Sequence, residues 1–151
     1  MEKMAKMPTM GKFVQPPNGF TKNGAACGAC YQHLFAKGVV EVEYRRVSCK
    51  YGNLLLKIHE HSKYPHYLAI VVMNQGGATD ILAVEVYEEE TKEWISMRRA
   101  YGAVFDLSSP PSGELNVRLL TSARAETKWV QSDKAVIPAE WKAGATIETD
   151  I

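Results

Sequence analysis

From Leu34 onward the chain is a succession of short runs in which apolar and polar residues alternate, with turn residues between the runs. A period of two puts successive side chains on opposite faces of a strand, so each such run predicts a strand with one buried face. "GVVEVEYRRV" sets Val40, Val42 and Tyr44 against Glu41, Glu43 and Arg45. "NLLLKIHEH" sets Leu54, Leu56 and Ile58 against Leu55, Lys57 and His59. In "ILAVEVYEEE" the inward set is Leu82, Val84 and Val86, and in "ELNVRLLT" it is Leu115, Val117 and Leu119. "EWISM" and "KWVQS" are shorter strands, and "TIETDI" alternates Ile147, Thr149 and Ile151 with polar partners. One run does not alternate. "YLAIVVMN", from Tyr67 to Asn74, is almost wholly apolar, which predicts a central strand covered on both faces. It ends at the turn Gln75-Gly76-Gly77-Ala78. Seven or eight such strands with no helical period between them predict an all-β chain folded as a sandwich of about a hundred residues.

Residues 1–33 differ. They hold Pro8, Pro16, Pro17 and several glycines without sustained periodicity, and they read as largely irregular. The 18 basic and 17 acidic side chains leave a net charge of +1, too little for a field that holds nucleic acid or an anionic membrane. Arg45-Arg46 and Arg98-Arg99 are isolated pairs and read as surface charge. No apolar run has the length of a transmembrane helix, and residues 1–13 lack the apolar core of a signal peptide.

Candidate chemistry is sparse. Cys27, Cys30 and Cys49 are the three cysteines, and Cys27-Gly-Ala-Cys30 suits a redox dithiol, half a zinc site or two separate disulfides. His59 and His61 share a strand face and could join His66 or Glu60 on zinc or copper. Glu60 points the other way, however, so the histidines read as polar surface and no metal or cofactor is expected. Glu88-Glu89-Glu90 reads as a solvated turn, while Asp80 and Asp106 flank turns. None of these forms the facing carboxylate pair of a glycosidase. Nucleophile-elbow, zinc-protease and phosphate-loop motifs are missing, so no catalytic residue is assigned. Tyr64, Tyr67, Trp94, Tyr101, Phe105, Trp129 and Trp141 are spread over the sandwich, most of them as core. Tyr101 lies between arginines and a glycine in "RRAYGAVFDL", a setting for an exposed ring that can stack on the C–H face of a sugar.

Three longer stretches carry a resemblance. "YRRVSCKYGNLLLKIHEHSKYPHYLAIVVMNQGG", "EWISMRRAYGAVFDL" with its following "PPSG", and "KWVQSDKAVIPAEWKAGA" resemble the C-terminal half of plant expansins of the expansin-like B group. "NGAACGACYQ" resembles part of the first domain of that family. Such proteins are secreted and non-enzymatic, with a double-psi β-barrel ahead of an immunoglobulin-like β-sandwich that binds wall polysaccharide. The resemblance implies that residues 1–33 are a barrel remnant, 34–50 the last barrel strand and linker, and 51–151 the sandwich. It implies that most of the barrel and the signal peptide are missing. It also implies that Cys27 and Cys30 belong to two different disulfides whose partners fall largely in the missing part of the barrel. Three thiols then remain, an odd number that cannot all pair within the chain, and Cys49 could pair with one of the other two. The expected partner is cellulose or a matrix glucan, bound by a monomer in the cell wall. By motif match Tyr67, Tyr101 and Phe105 fall on the family's aromatic face, with Lys63 and Arg99 as hydrogen-bond donors, while Trp94, Trp129 and Trp141 go to the core or its rim. The competing expectation is a sandwich that serves as a protein-interaction module, or an inert product, without glycan affinity.

Overall fold

The computed structural model describes residues 30–32, 45–49, 52–77, 79–123 and 126–151. Two short strands, β1 (Cys30–Gln32) and β2 (Arg45–Val47), pair antiparallel with Cys30 opposite Val47. A strand therefore lies at the end of the stretch expected to be irregular. The run from Val40 to Tyr44 is outside the described residues.

The remaining strands are β3 (Leu55–Ile58), β4 (Tyr67–Met73), β5 (Asp80–Glu88), β6 (Glu93–Ser96), β7 (Arg98–Tyr101), β8 (Val104–Ser108), β9 (Val117–Ala123), β10 (Glu126–Gln131) and β11 (Thr146–Glu148). They form two antiparallel sheets, β11-β3-β4-β8-β7 and β10-β9-β5-β6. The all-β sandwich is the architecture that the alternation predicts. Leu54, Leu56, Ile58, Leu68, Ile70, Val72 and Phe105 face Ile81, Val84, Val86, Val117 and Leu119 across one core, which Leu115, Ile137 and Trp141 close at its ends. Burying each of these side chains is worth about 1.5–3 kcal/mol, and this is what holds the two sheets together.

Three details depart from the alternation. In β5 a bulge between Ile81 and Ala83 shifts the register, so Ile81 is buried and Leu82 turns out, 40% exposed. Leu82→Ser should therefore shift stability by no more than about 0.5 kcal/mol in urea denaturation, whereas a core leucine would cost several times that.

The outward side of β4 is only partly covered, with Ala69 buried there. Leu68, Ile70 and Val72 enter the core, but Tyr67 and Val71 are half-buried and Met73 is exposed on the other side. The third detail is the hairpin β7–β8, which breaks one run of sequence into two strands at Gly102, whose φ is +49°.

On the outer side of the four-stranded sheet, the Arg118 guanidinium lies 4.4 Å from the Trp94 ring centre and 4.3 Å from that of Trp129. Its Nε donates to Glu85 at 2.6 Å. This ladder holds Trp94 and Trp129 on the surface of the sheet rather than in the core, while Trp141 is buried as expected. The cation stacks on both rings, and Trp129 keeps 39% of its surface exposed.

Candidate functional site

The outward face of the five-stranded sheet can be assembled from its register. Residues opposite one another in adjacent strands point the same way. Tyr67 stands opposite Ser108, Ala69 opposite Asp106 and Val71 opposite Val104. Arg98 stands opposite Asp106 and Tyr101 opposite Val104 on one side, and Lys57 opposite Val71 on the other. Tyr67, Asp106, Arg98, Tyr101 and Lys57 therefore share one face, and that face looks away from the core.

Asp106 organises its centre. The side chain is only 4% exposed, yet it sits mid-strand in β8 and not beside a turn. A buried carboxylate must be paired or neutralised. Here Arg98 Nε donates to Oδ1 at 2.9 Å, Arg98 Nη2 donates to Oδ2 at 2.6 Å, and the Tyr67 hydroxyl donates to Oδ2 at 2.7 Å. The bonds from Arg98, with help from Tyr67, hold the Asp106 carboxyl below the usual carboxylate range. The same contact pushes the Tyr67 phenol up from its ordinary value. The Tyr67 ring is thus fixed by its tip, and its hydroxyl is committed.

Tyr101 is the most open aromatic of the face, at 61% exposure. Its hydroxyl is 3.1 Å from His59 Nε2, while the backbone N–H of His61 donates to His59 Nδ1 at 3.1 Å. With Nδ1 accepting, the neutral ring carries its proton on Nε2 and donates to the tyrosine oxygen. Both ring nitrogens of His59 are thereby engaged in support of Tyr101. The His61 ring packs edge-on against that of His59, 4.8 Å away. Among the described residues no group of three or more His, Cys, Asp or Glu side chains is placed to hold a metal ion.

Lys63 lies in the loop between β3 and β4. Two backbone hydrogen bonds of 2.8 Å tie it to Tyr67, and Ser62 Oγ caps Ala69 beneath. With Glu60, His61, Ser62 and Tyr67 it lines a shallow depression at the end of the face, and its side chain is exposed.

Two residues chosen from sequence are placed elsewhere. Phe105 is 1% exposed, because the residue between outward Val104 and outward Asp106 has to point inward. It is core and offers no stacking surface. Arg99 points the same way as Phe105; its guanidinium lies 4.5 Å over that ring and donates to the carbonyls of Gly102 and Ile81. Its donors serve the fold. The exposed arginine of the pair is Arg98, which sequence reasoning passed over. Asp106 was also missed, although the outward triplet Val104, Asp106, Ser108 in "VFDLS" marks it.

An open sheet face with two tyrosines, one anchored to the buried carboxylate of an ion pair and one projecting, makes this an aromatic-faced β-sandwich. The Expansin C-terminal domain profile matches residues 54–138, more than half of the chain, and the chain belongs to that family. Over 120 residues the chain is 54% identical to the expansin-like B1 protein of Arabidopsis thaliana, covering 78% of this chain and 48% of that protein. It is 35% identical over 161 residues to the expansin-like B1 protein of Oryza sativa subsp. japonica, covering 89% and 62%. The chain thus spans about half to three-fifths of the length of these two relatives. The fold also superimposes on a Clavibacter michiganensis expansin, a mutant in complex with cellohexaose, with a TM-score of 0.53 and 17% identity, covering 73% of this chain and 50% of that one.

Proposed function

We propose that this chain is a non-enzymatic, expansin-like module that binds a neutral cell-wall polysaccharide, cellulose or a matrix glucan, by stacking sugar rings on Tyr67 and Tyr101. The observation that carries this reading is the placement of both tyrosines on one outward sheet face. Lys63, beside Tyr67, is a donor for sugar hydroxyls. The kinship to plant expansin-like proteins supports an extracellular setting and a part in wall modification. The complex of the bacterial relative with cellohexaose supports a β-glucan as the ligand. The ion pair makes Asp106 unsuited to be the general acid of a glycoside hydrolase. A carboxyl held below its usual range cannot donate a proton near neutral pH, as glycoside hydrolysis needs.

A pull-down on insoluble cellulose and on washed plant cell wall tests the reading. The chain should be retained, and Tyr67→Ala/Tyr101→Ala of verified fold should lose at least about tenfold in affinity, as two stacked rings imply. Equal retention of both proteins, or of neither, rejects the aromatic face and leaves a sandwich that serves protein contacts.

A further inference from the structure

Three adjacent strands bring Tyr67 of β4, Asp106 of β8 and Arg98 of β7 into one unit on the outward face. A guanidinium on an open surface is a receptor for carboxylate, because its planar fork matches two carboxylate oxygens. Arg98 is open to solvent, its side chain 77% exposed. Yet the edge formed by Nε and Nη2 already holds both oxygens of Asp106. The chain has supplied its own carboxylate at the position where a uronic acid would dock. Nearby, Lys57 carries Glu60 as an ion-pair partner through a single, exposed contact. The centre of the face is therefore rich in hydrogen-bonding groups and close to neutral in charge.

We propose that Asp106 is a specificity-determining residue that occupies the fork of Arg98 and so restricts the face to uncharged glucans over uronic-acid polysaccharides. This rests on the reading of Tyr67 and Tyr101 as a sugar platform. With the fork filled, Arg98 can offer only its outer N–H groups, which suit hydroxyls. A polyuronate approaching the face meets a cation that is already compensated, and it would lose water without gaining a charge partner. Removing the charge of Asp106 reverses both terms. It frees a full positive charge on the surface and loosens the tip of Tyr67.

The test compares the wild-type chain, Asp106→Asn and Asp106→Asn/Arg98→Gln by affinity electrophoresis through a soluble neutral β-glucan and through polygalacturonate. The wild type should be retarded by the glucan and pass polygalacturonate unretarded. Asp106→Asn should bind the glucan about tenfold more weakly, through loss of charge-assisted bonds to the platform. It should also be retarded by polygalacturonate at low salt and released at 1 M salt, where the screening length falls to about 3 Å. The double variant, without the cation, should pass polygalacturonate again. That rescue is something a purely structural defect would not produce. Asp106→Ser makes the same change of charge with a smaller side chain and decides the matter if the asparagine variant does not fold. Glucan binding by the wild type with no gain of polygalacturonate binding in the charge-removed variant overturns this inference alone. No glucan binding by the wild type overturns the platform and this inference together. Retardation of the wild type by polygalacturonate overturns the inference whatever the variants do.

Discussion

Phe105→Ala should cost about 3–5 kcal/mol of folding stability, the range for truncating a fully buried phenylalanine. Small domains are stable by only about 5–15 kcal/mol, so the variant should unfold at a much lower urea concentration and sit near its midpoint in mild denaturant. The size of the effect follows from where the ring lies. Phe105 is opposite Ile70 in the centre of the five-stranded sheet and points into the core, among the largest of the fully buried side chains. Its removal leaves a cavity between two sheets whose strands are fixed by their ladders, so little collapse is available to fill it. The ring also carries the Arg99 guanidinium on its face, and that contact is lost with it. Chemical denaturation of the two proteins, with an unchanged slope, measures the loss. A surface platform at this position would give the opposite pattern, near-native stability with weakened glycan retention. That outcome would return Phe105 to the face.

Alternation fails in this chain wherever a strand carries a bulge, and the residues on which it succeeded and failed show why. Leu54, Leu56 and Ile58, and likewise Leu115, Val117 and Leu119, are buried as their alternation predicts, because their stretches carry no register shift. Leu82 is apolar and in phase with Val84, but the bulge at Ile81 adds one residue and reverses the side on which it emerges. The same event separates Arg99 from Tyr101. Two residues apart, they should share a face, yet the shift between them in β7 sends Arg99 inward over Phe105 and Tyr101 outward beside Val104. Nothing in "RRAYG" marks the shift, so Arg99 was chosen although Arg98 is the arginine that shares the outward face with Tyr101. Tyr67 and Tyr101, chosen from kinship, emerge on one face. Alternation marks Asp106 as outward, but its pairing was not legible, because its partners are 39 and 8 residues away on neighbouring strands. Sequence spacing carries no sign of such a contact until the register is known.

Arg98→Ala should cost the chain stability by an amount that depends on pH. In the native chain Arg98 and Tyr67 hold the Asp106 carboxyl below its unfolded value, which is about 3.9. A group with a depressed folded pKa stabilises the fold fully above the unfolded value, and that contribution fades as the pH falls through the folded one. The wild type should therefore lose this contribution only below about pH 4. Tyr67, whose phenol is raised, gives the opposite flank. Its contribution is complete below the unfolded value of about 10 and is lost as the pH climbs through the folded one. Without Arg98 the carboxyl keeps the Tyr67 hydroxyl as its donor but loses its main one, so its folded pKa moves up toward the unfolded value. The stability that Asp106 supplies when ionised is correspondingly smaller in the variant. Arg98→Ala should be less stable than the wild type near neutrality, because a carboxylate that is 4% exposed has lost its main donors. The gap should narrow steadily below about pH 5 and nearly close once Asp106 is protonated in both proteins. Urea midpoints across that range measure it. A gap that is the same at every pH would mean that Arg98 acts through the packing of its aliphatic stem, and the ion pair would not be what orders the face.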